Sequence, residues 1–338
     1  MTFFTEPILA IESSCDETSA AVVQGREVRS NIIASQIEMH QKWGGVVPEA
    51  AARAHVEAIL PVIREALSAA GLQLGDLRGI AVTNRPGLVG ALSVGVTAAK
   101  ALAFSLGIPL VGVHHLEGHL MSVYGLPEEI PVPHLSLIAS GGHTELVAVW
   151  APGDYELIGH TIDDAAGEAF DKGARLMGLG YPGGRAIQQA ALGGNPKRYP
   201  LPRGLRGPTR DFSFSGLKTA VMRLVDTEGA ALSVPDAAAS LQEAIVSVLA
   251  ERVLRAADEL GFETVTLVGG VAANVALRER LQAGCTQSGR RFLTPPIVLC
   301  TDNAGMIGLA GSFRLARGDR DDFSLEAQAN DALFGVDE

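Results

Sequence analysis

Cysteine is scarce in this chain, and nothing at the N-terminus resembles a secretion signal. The cysteines, Cys15, Cys285 and Cys300, number three and lack the spacing of metal ligands. An odd, scattered set argues against a disulfide framework and predicts a reducing compartment. Residues 1–7 contain neither a basic segment nor an apolar core of the kind that directs secretion. We therefore expect a cytoplasmic protein.

Long apolar runs and excess positive charge are also missing. The longest apolar stretch, residues 95–113, is interrupted by Lys100 and Pro109, and this predicts a helix, a break and a strand rather than a membrane span. Lys and Arg total 27 against 38 Asp and Glu, for a net charge of −11. A nucleic acid would therefore have to bind a local basic patch or a basic partner subunit.

The composition that is present is typical of a well-buried α/β protein. Charged residues make up 19% of the chain and hydrophobic residues 47%. A length of 338 residues predicts roughly two domains. The 39 glycines include four adjacent pairs, which indicate turns where the backbone approaches a ligand or another turn: 44–45, 141–142, 183–184 and 269–270.

Two similar hairpins lie about half a chain apart. Residues 8–11 (ILAI) and 20–23 (AAVV) predict strands around a polar turn, and residues 135–138 (LSLI) and 146–149 (LVAV) repeat the order around the turn ASGGHT. Small turns rich in hydroxyl groups can wrap an anion. The repetition predicts duplicated lobes.

Between and after the hairpins, the spacing of apolar residues predicts a series of helices and strands. A helix over 49–69 is predicted to bury Val56, Ile59, Leu60, Ile63 and Leu67. Strands over 79–83 and 109–113 flank a small-residue helix over 92–106, an order that predicts parallel pairing. That helix would pack inside its lobe or form a dimer surface. Further along, the pattern predicts a helix around 241–249, a strand over 264–268, a helix to 281 and a last helix over 303–317, with a surface excursion over 181–215.

His115 and His119 form the sharpest local motif, in the segment HLEGH. Residues four apart share one face of a helix, so the two imidazoles can converge on one metal ion. Glu117 would point roughly to the opposite side, which disfavours the zinc-peptidase arrangement. On spacing alone, two polar histidines on a helix surface explain the motif equally well.

Asp302 is the candidate third ligand. It follows the apolar run PIVLC at 296–300, and strand ends in α/β folds present ligand-binding groups. Two imidazoles and one carboxylate would leave coordination positions open and would suit Fe(II) or Zn(II). A carboxylate there could equally cap the helix that follows.

Two glycine-rich turns are candidate anion sites. In residues 140–144 (SGGHT) the backbone amides can converge on a phosphate, although a tight hairpin without a ligand explains the same glycines. In residues 269–274 (GGVAAN) a glycine pair lies between a strand and a helix start. Asn274 could contact a ribose or purine, or it could cap the helix.

Taken in order, the segments IESSCDETS (11–19), HLEGH, SGGHT, FSFSGLKT (212–219) and GGVAAN resemble the universal tRNA N6-adenosine threonylcarbamoyltransferase family, formerly described as O-sialoglycoprotein endopeptidases. The resemblance covers residues 9–310. It implies an α/β fold of the actin, sugar-kinase and heat-shock ATPase class, with two lobes of duplicated mixed β-sheet and nucleotide between them. The N-terminal lobe would span 1–131, with a C-terminal helix over 303–325 returning to it, and the C-terminal lobe would span 132–302.

The resemblance also implies the activity, which is transfer of a threonylcarbamoyl group from threonylcarbamoyl-AMP to N6 of adenosine 37 in tRNAs that read codons beginning with A, with AMP released. It implies one divalent metal ion per subunit, Fe(II) before Zn(II), and as partners tRNA, a paralogous subunit and a small ATPase. No catalytic residue is assigned beyond the metal site. The implied metal ligands are His115, His119 and Asp302, and the implied substrate-binding residues are Ile138, Ala139, Ser140, Gly141, Gly142, Asp171, Gly184 and Asn274.

The chain departs from the family at two positions. Arg85 stands where relatives have a small residue before Pro-Gly, and Gln188 stands where some carry a carboxylate near the ribose. Three other functions compete with the transferase: an ATPase or sugar kinase of the same fold, a metallopeptidase, and a noncatalytic nucleotide-binding scaffold. Loss of either histidine would leave the scaffold intact.

Overall fold

A computed structural model describes residues 2–205 and 207–334. Contacts between residues divide the chain into two compact units, Met1–Ile130 with Val298–Glu338, and Pro131–Ile297. The strands are β1 Pro7–Glu12, β2 Glu17–Gln24, β3 Glu27–Ser35, β4 Ile80–Arg85, β5 Leu110–His114, β6 His134–Ala139, β7 Thr144–Ala151, β8 Asp154–His160, β9 Thr264–Val268 and β10 Arg291–Leu293.

Helices cover the strands of each unit. The α-helices are α1 Ile37–Gln41, α2 Pro48–Ala70, α3 Val89–Leu106, α4 His115–Met121, α5 Ala166–Leu176, α6 Gly183–Ala190, α7 Ser215–Glu228, α8 Val234–Leu260, α9 Val275–Gln287 and α10 Ala304–Ala316. Short 3-10 helices occur at Leu74–Asp76, Ser122–Gly125, Gly229–Ala231, Gly270–Ala273 and Ile297–Leu299.

The two sheets share one topology. The first has the order β3-β2-β1-β4-β5 and the second β8-β7-β6-β9-β10. In each, three sequential strands pair antiparallel, a fourth strand pairs in parallel with the first of them, and the last strand pairs in parallel with the fourth. The predicted hairpins and parallel strands are therefore confirmed, and the duplication extends to whole sheets.

The buried face of α2 differs from the predicted stripe. Ile59, Ile63 and Leu67 are buried as expected, but Val56 and Leu60 are 62% and 55% exposed. His55, Val62 and the small residues Ala51, Ala66 and Ala70 are buried instead, where α2 packs on β2 and β3. Small side chains let the helix lie close to the sheet, so counting large apolar residues predicted the wrong edge of the buried face.

The surface excursion predicted over 181–215 is partly wrong, because it contains α6. This helix is eight residues long and buries only Gly183 and Ile187, which is too few for a visible helical period. Residues 191–214 contain no helix or strand among those described, apart from a single bridge between Thr161 and Phe212.

Helix α10 packs against β1, β2 and β4 of the first sheet. It ends at Ala316 rather than at 325, and Gly318 then turns the chain with a φ of 93°. Glycines make the close packing possible, because a Cβ at Gly308 would overlap Val23 and one at Gly311 would overlap Ala81. The glycines therefore let the backbone of α10 lie close to the strands of the first sheet.

Among the described residues, α3 alone is long and apolar enough to cross a membrane, and a core helix of a water-soluble protein passes the same test. Here α3 packs against α2, β4 and β1.

We predict that Gly308→Ala lowers stability although alanine favours helices. The added methyl group must displace Val23 or Ala10, and overpacking of this kind costs about 1–3 kcal/mol. The thermal unfolding midpoint measures the loss. Gly216→Ala in α7 is the matched control, because open space surrounds that position. An equal effect of both substitutions would contradict the packing explanation.

Candidate metal centre

His115 and His119 lie on α4, directly after β5. Strand β5 ends at His114, whose ring accepts a hydrogen bond from the Leu116 backbone N–H (3.1 Å) and so caps the helix. The rings of His115 and His119 lie 4.7 Å apart between centroids. They are 6% and 0% exposed, so the interpretation as two surface histidines is wrong.

Asp302 belongs to the C-terminal segment of the first unit, and its side chain lies beside His115 and His119. Its Oδ1 lies 3.4 Å from Nε2 of His115 and 3.4 Å from Nε2 of His119. The apolar run before it forms the 3-10 helix Ile297–Leu299 rather than the expected strand. Asp302 does not cap α10, because the side chain of Asn303 accepts the hydrogen bond from Met306 N (3.0 Å).

The three side chains fit a divalent metal ion. Their ligand atoms all lie within 4.8 Å of one another. Neither ring nitrogen of the fully buried His119 has a hydrogen-bond partner among the described residues. Buried polar atoms are rarely left in this state, and two imidazoles with one carboxylate form a donor set that binds transition metals.

Glu12 orients His115. Its carboxylate accepts hydrogen bonds from Ser14 N (2.5 Å) and Thr83 Oγ1 (2.6 Å), and its Oε2 lies 3.1 Å from Nδ1 of His115. A carboxylate that accepts the Nδ1–H of a histidine leaves the lone pair of Nε2 toward the metal side. The sequence motif included Glu12 but gave it no role. The feature that could have revealed this role is the position of Glu12, an acidic residue at the end of an otherwise apolar strand.

The charges of the centre depend strongly on one another. Burial disfavours the imidazolium of His115, but the Asp302 and Glu12 carboxylates on its two sides raise its pKa well above the ordinary value. Burial lowers the pKa of His119. Burial together with the carboxylates of Asp16 and Asp302 raises the pKa of Glu17 to about 10. Without metal, a proton on His115 thus compensates part of a cluster of carboxylates.

Glu117 points away from the centre, as its position on the helix predicted. Its carboxylate forms an ion pair with Arg314 of α10 (3.2 Å). Burial raises the pKa of Glu117, against the opposing effect of Arg314. This carboxylate is therefore a packing contact between α4 and α10 and offers no base to the metal centre.

The other predicted site residues lie in the second unit. Ile138 and Ala139 end β6, and Ser140 starts the turn to β7, where Ser140 N donates to His143 O (2.8 Å). Gly141 and Gly142 are exposed, with open space where a Cβ would lie. The turn therefore closes on its own hydrogen bonds and leaves its glycine face accessible.

Neighbouring elements converge on this turn. Gly167, at the start of α5, donates to Ser140 O (3.1 Å), and Gly269 at the end of β9 has a φ of 91° where a side chain would overlap Ala139 O. Asn274 caps α9 by accepting from Leu277 N (3.0 Å) and donates to Gln242 (3.0 Å). The cap is thus observed, and the amide also contacts α8.

Asp171 and the glycine pair of α6 are in contact, although at Gly183 and not at Gly184. Asp171 Oδ1 accepts the Gly183 N–H (2.6 Å), and a Cβ on Gly183 would overlap the Asp171 backbone. Gly184 has open space around it.

The two positions at which the chain departs from the family pattern both form contacts. Gln188 accepts a hydrogen bond from Val275 N (2.7 Å), which connects α6 to α9. Arg85, the other departure, forms an ion pair with Asp331 (2.6 Å).

Comparison with known proteins finds one family of relatives. A profile of the family tRNA N6-adenosine threonylcarbamoyltransferase matches residues 27–309. Proteins of that name from Syntrophotalea carbinolica and Symbiobacterium thermophilum are 51% identical over 328 residues, with 96% of each chain covered, and 53% identical over 323 residues, with 95% of each covered.

Solved structures resemble the fold. Full-length HypF in its phosphate- and nucleotide-bound form matches with a TM-score of 0.58 and 15% identity, over 94% of this chain and 47% of that one. The activator of the 2-hydroxyisocaproyl-CoA dehydratase from Clostridium difficile, with bound ADPNP, matches with a TM-score of 0.54 and 13% identity, over 92% and 96%. These likenesses confirm the predicted two-lobed, ATPase-like fold class.

We predict that Glu12→Gln weakens metal binding about 10–100-fold, the range for loss of a carboxylate that orients a ligating histidine. The amide can still donate to or accept from Nδ1, but it no longer selects one tautomer. Titration of the metal-free protein with Zn(II) or Fe(II) measures the affinity. Glu145→Gln, at a half-buried glutamate on β7 in the second unit, is the control. Unchanged affinity in Glu12→Gln would remove this role.

We also predict that metal binding releases protons and tightens as pH rises. The pKa of His115 is raised in the metal-free protein, so its proton must leave Nε2 before a metal can bind there. Affinity should therefore increase with pH up to that raised pKa. Calorimetric titration in two buffers of different ionisation enthalpy counts the protons. Binding without proton release near neutral pH would contradict the assignment.

Proposed function

Because the chain belongs to the tRNA N6-adenosine threonylcarbamoyltransferase family, we propose that it transfers the threonylcarbamoyl group of threonylcarbamoyl-AMP to N6 of adenosine 37 in tRNAs that read codons beginning with A. The bond between N6 and the carbamoyl carbon forms, the bond from that carbon to the phosphate-linked oxygen breaks, and AMP leaves as the amine loses one proton. Identity near one half over almost the full length of both chains carries this proposal.

In this proposal His115, His119 and Asp302 hold one divalent metal ion, Fe(II) in preference to Zn(II). When bound, the metal supplies Lewis acidity and a template for oxygen atoms of the substrate. Glu12 accepts hydrogen bonds from Ser14 N and Thr83 Oγ1, which hold its carboxylate beside Nδ1 of His115, and this contact directs Nε2 toward the metal. The orphaned nitrogens of His119 support this assignment.

The second unit is proposed to bind the adenylate. The accessible backbone of Gly141 and Gly142, in the turn that follows Ser140, suits a phosphate, and the open space at Gly184 leaves room for a ligand beside Asp171. Asn274 already caps α9 and contacts Gln242, so its amide is held in a fixed orientation. An aromatic amine is a weak nucleophile. The rate enhancement would come from positioning of the reactants and from stabilisation of charge in the transition state, rather than from a covalent intermediate.

Partners and location follow from the same premise. tRNA is the macromolecular substrate, and we propose that a paralogous subunit and a small ATPase complete the active assembly, with another enzyme producing the adenylate. A reducing cytoplasm suits a chain with three scattered cysteines. Of the competing functions, the metallopeptidase lacks support, since Glu117 forms an ion pair with Arg314 and points away from the centre.

We predict that His115→Ala and Asp302→Asn lose bound metal and product together, because each removes one of the three ligands. The purified chain and its partner proteins are incubated with threonylcarbamoyl-AMP and unmodified tRNA. The modified nucleoside is then quantified by mass spectrometry, and the metal content of each protein is measured in parallel.

His160→Ala is the matched control, because this histidine is half exposed and pairs with Asp211 in the second unit. It should retain metal and product. Full product yield from both ligand variants would refute the metal hypothesis. No modified nucleoside from the wild-type assembly would refute the transferase itself, and steady ATP hydrolysis without tRNA would favour a kinase or ATPase.

A further inference from the structure

One segment of this acidic chain is strongly basic. Residues 172–210 contain eight of the 27 Lys and Arg residues and none of the 38 Asp and Glu residues. The segment covers the end of α5, the whole of α6 and most of the excursion that follows. In a chain with a net charge of −11, such a concentration of one sign sets this part of the second unit apart.

Several of these cations are free to meet a ligand. Arg175, Arg185, Lys197 and Arg198 are exposed, and within residues 2–205 and 207–334 none of them forms an ion pair. Arg185 comes directly after Gly184, a proposed substrate position, and α6 packs against both α5 and α8. The exposed cations thus begin at the proposed adenylate site and continue along the excursion.

The excursion is held firmly although it has no regular structure. Tyr199 is buried, its hydroxyl accepts from Ser233 N (3.2 Å), and its own N–H donates to Ser240 Oγ (3.3 Å). Asn195 N donates to Asp236 Oδ1 (2.7 Å). Lys197 and Arg198 lie between these anchors. Little backbone freedom would therefore be lost when a ligand binds them.

A cavity adjoins the same excursion. It has a volume of about 380 Å³, and Arg203, Arg252 and Arg255 line it together with Glu251. Arg252 is 5% exposed and donates to the carbonyls of Leu205 (2.8 Å) and Thr209 (3.0 Å). Arg203 lies 3.6 Å from Glu251 across a solvent-exposed pair. Exposed pairs of this kind contribute little to stability, so a phosphate can compete for Arg203.

We infer that the basic surface formed by Arg175, Arg185, Lys197, Arg198 and Arg203 binds the phosphate backbone of tRNA. The inference rests on the proposed function, which makes a polyanion the substrate. Guanidinium groups match phosphate in a bidentate manner, and cations spread over two helices and a loop can each meet a different phosphate. This surface would supply the counterion release that the net charge of the chain opposes.

The test is the salt dependence of tRNA binding by the complete chain, alone and assembled with its partner proteins. The variant Lys197→Gln with Arg198→Gln removes two exposed cations. We expect its Kd for unmodified tRNA to rise about tenfold or more near 0.1 M salt. The slope of log K against log salt should fall by about one for each residue removed. Fluorescence anisotropy over a KCl series gives both quantities.

The control is Arg53→Gln with Arg64→Gln, which removes the same charge from exposed positions of α2 in the first unit. It should bind tRNA with the wild-type slope. Thermal unfolding verifies the fold of each protein. If the Lys197 and Arg198 variant is unfolded, Arg185→Gln takes its place, with a slope expected to fall by about one.

Equal slopes in wild type and variant, with the wild type still producing modified nucleoside, would overturn this inference and leave the proposed function standing. Loss of partner-protein binding with unchanged tRNA binding would also overturn it, and would assign the surface to an acidic protein. A raised KM for tRNA with an unchanged kcat would support the inference.

Discussion

The packing of the first unit depends on placing two imidazole nitrogens beside one carboxylate oxygen where water is largely excluded. Asp302 Oδ1 lies at the same distance from both Nε2 atoms, and no described residue donates to His119. Groups of this polarity are costly to bury unless a positive charge compensates them. A proton on His115 or a metal ion among the three can provide that charge. The sheet and α10 provide the rigid frame that keeps the three together.

Much of this frame follows from local sequence patterns. Apolar runs of four residues around polar turns located the strands of both hairpins, and the order of strand, loop and helix predicted the parallel pairing of β4 and β5. The four-residue spacing of His115 and His119 predicted a shared helix face, and the structure shows it. These features depend on neighbours in sequence, so one chain suffices to predict them.

Other features depend on distant neighbours and could not be predicted in the same way. The rotation of α2 is set by small residues that fit against β2, and apolar size alone does not reveal it. The role of Glu12 depends on Thr83 and His115, which approach it only in the folded sheet. Asp302 remained undecided between ligand and cap because the choice depends on Asn303. The hydrogen bond from Gly183 N to Asp171 likewise depends on residues that approach each other only in the folded chain.

The late position of Asp302 in the sequence has a consequence for biosynthesis. Asp302 immediately precedes α10, while its two partners lie near the middle of the chain. During translation, a nascent polypeptide that has emerged as far as α4 holds both histidines but lacks the acid. The ion-binding triad can close only after residue 302 has left the ribosome, so a product terminated before that residue would lack one of the three ligands.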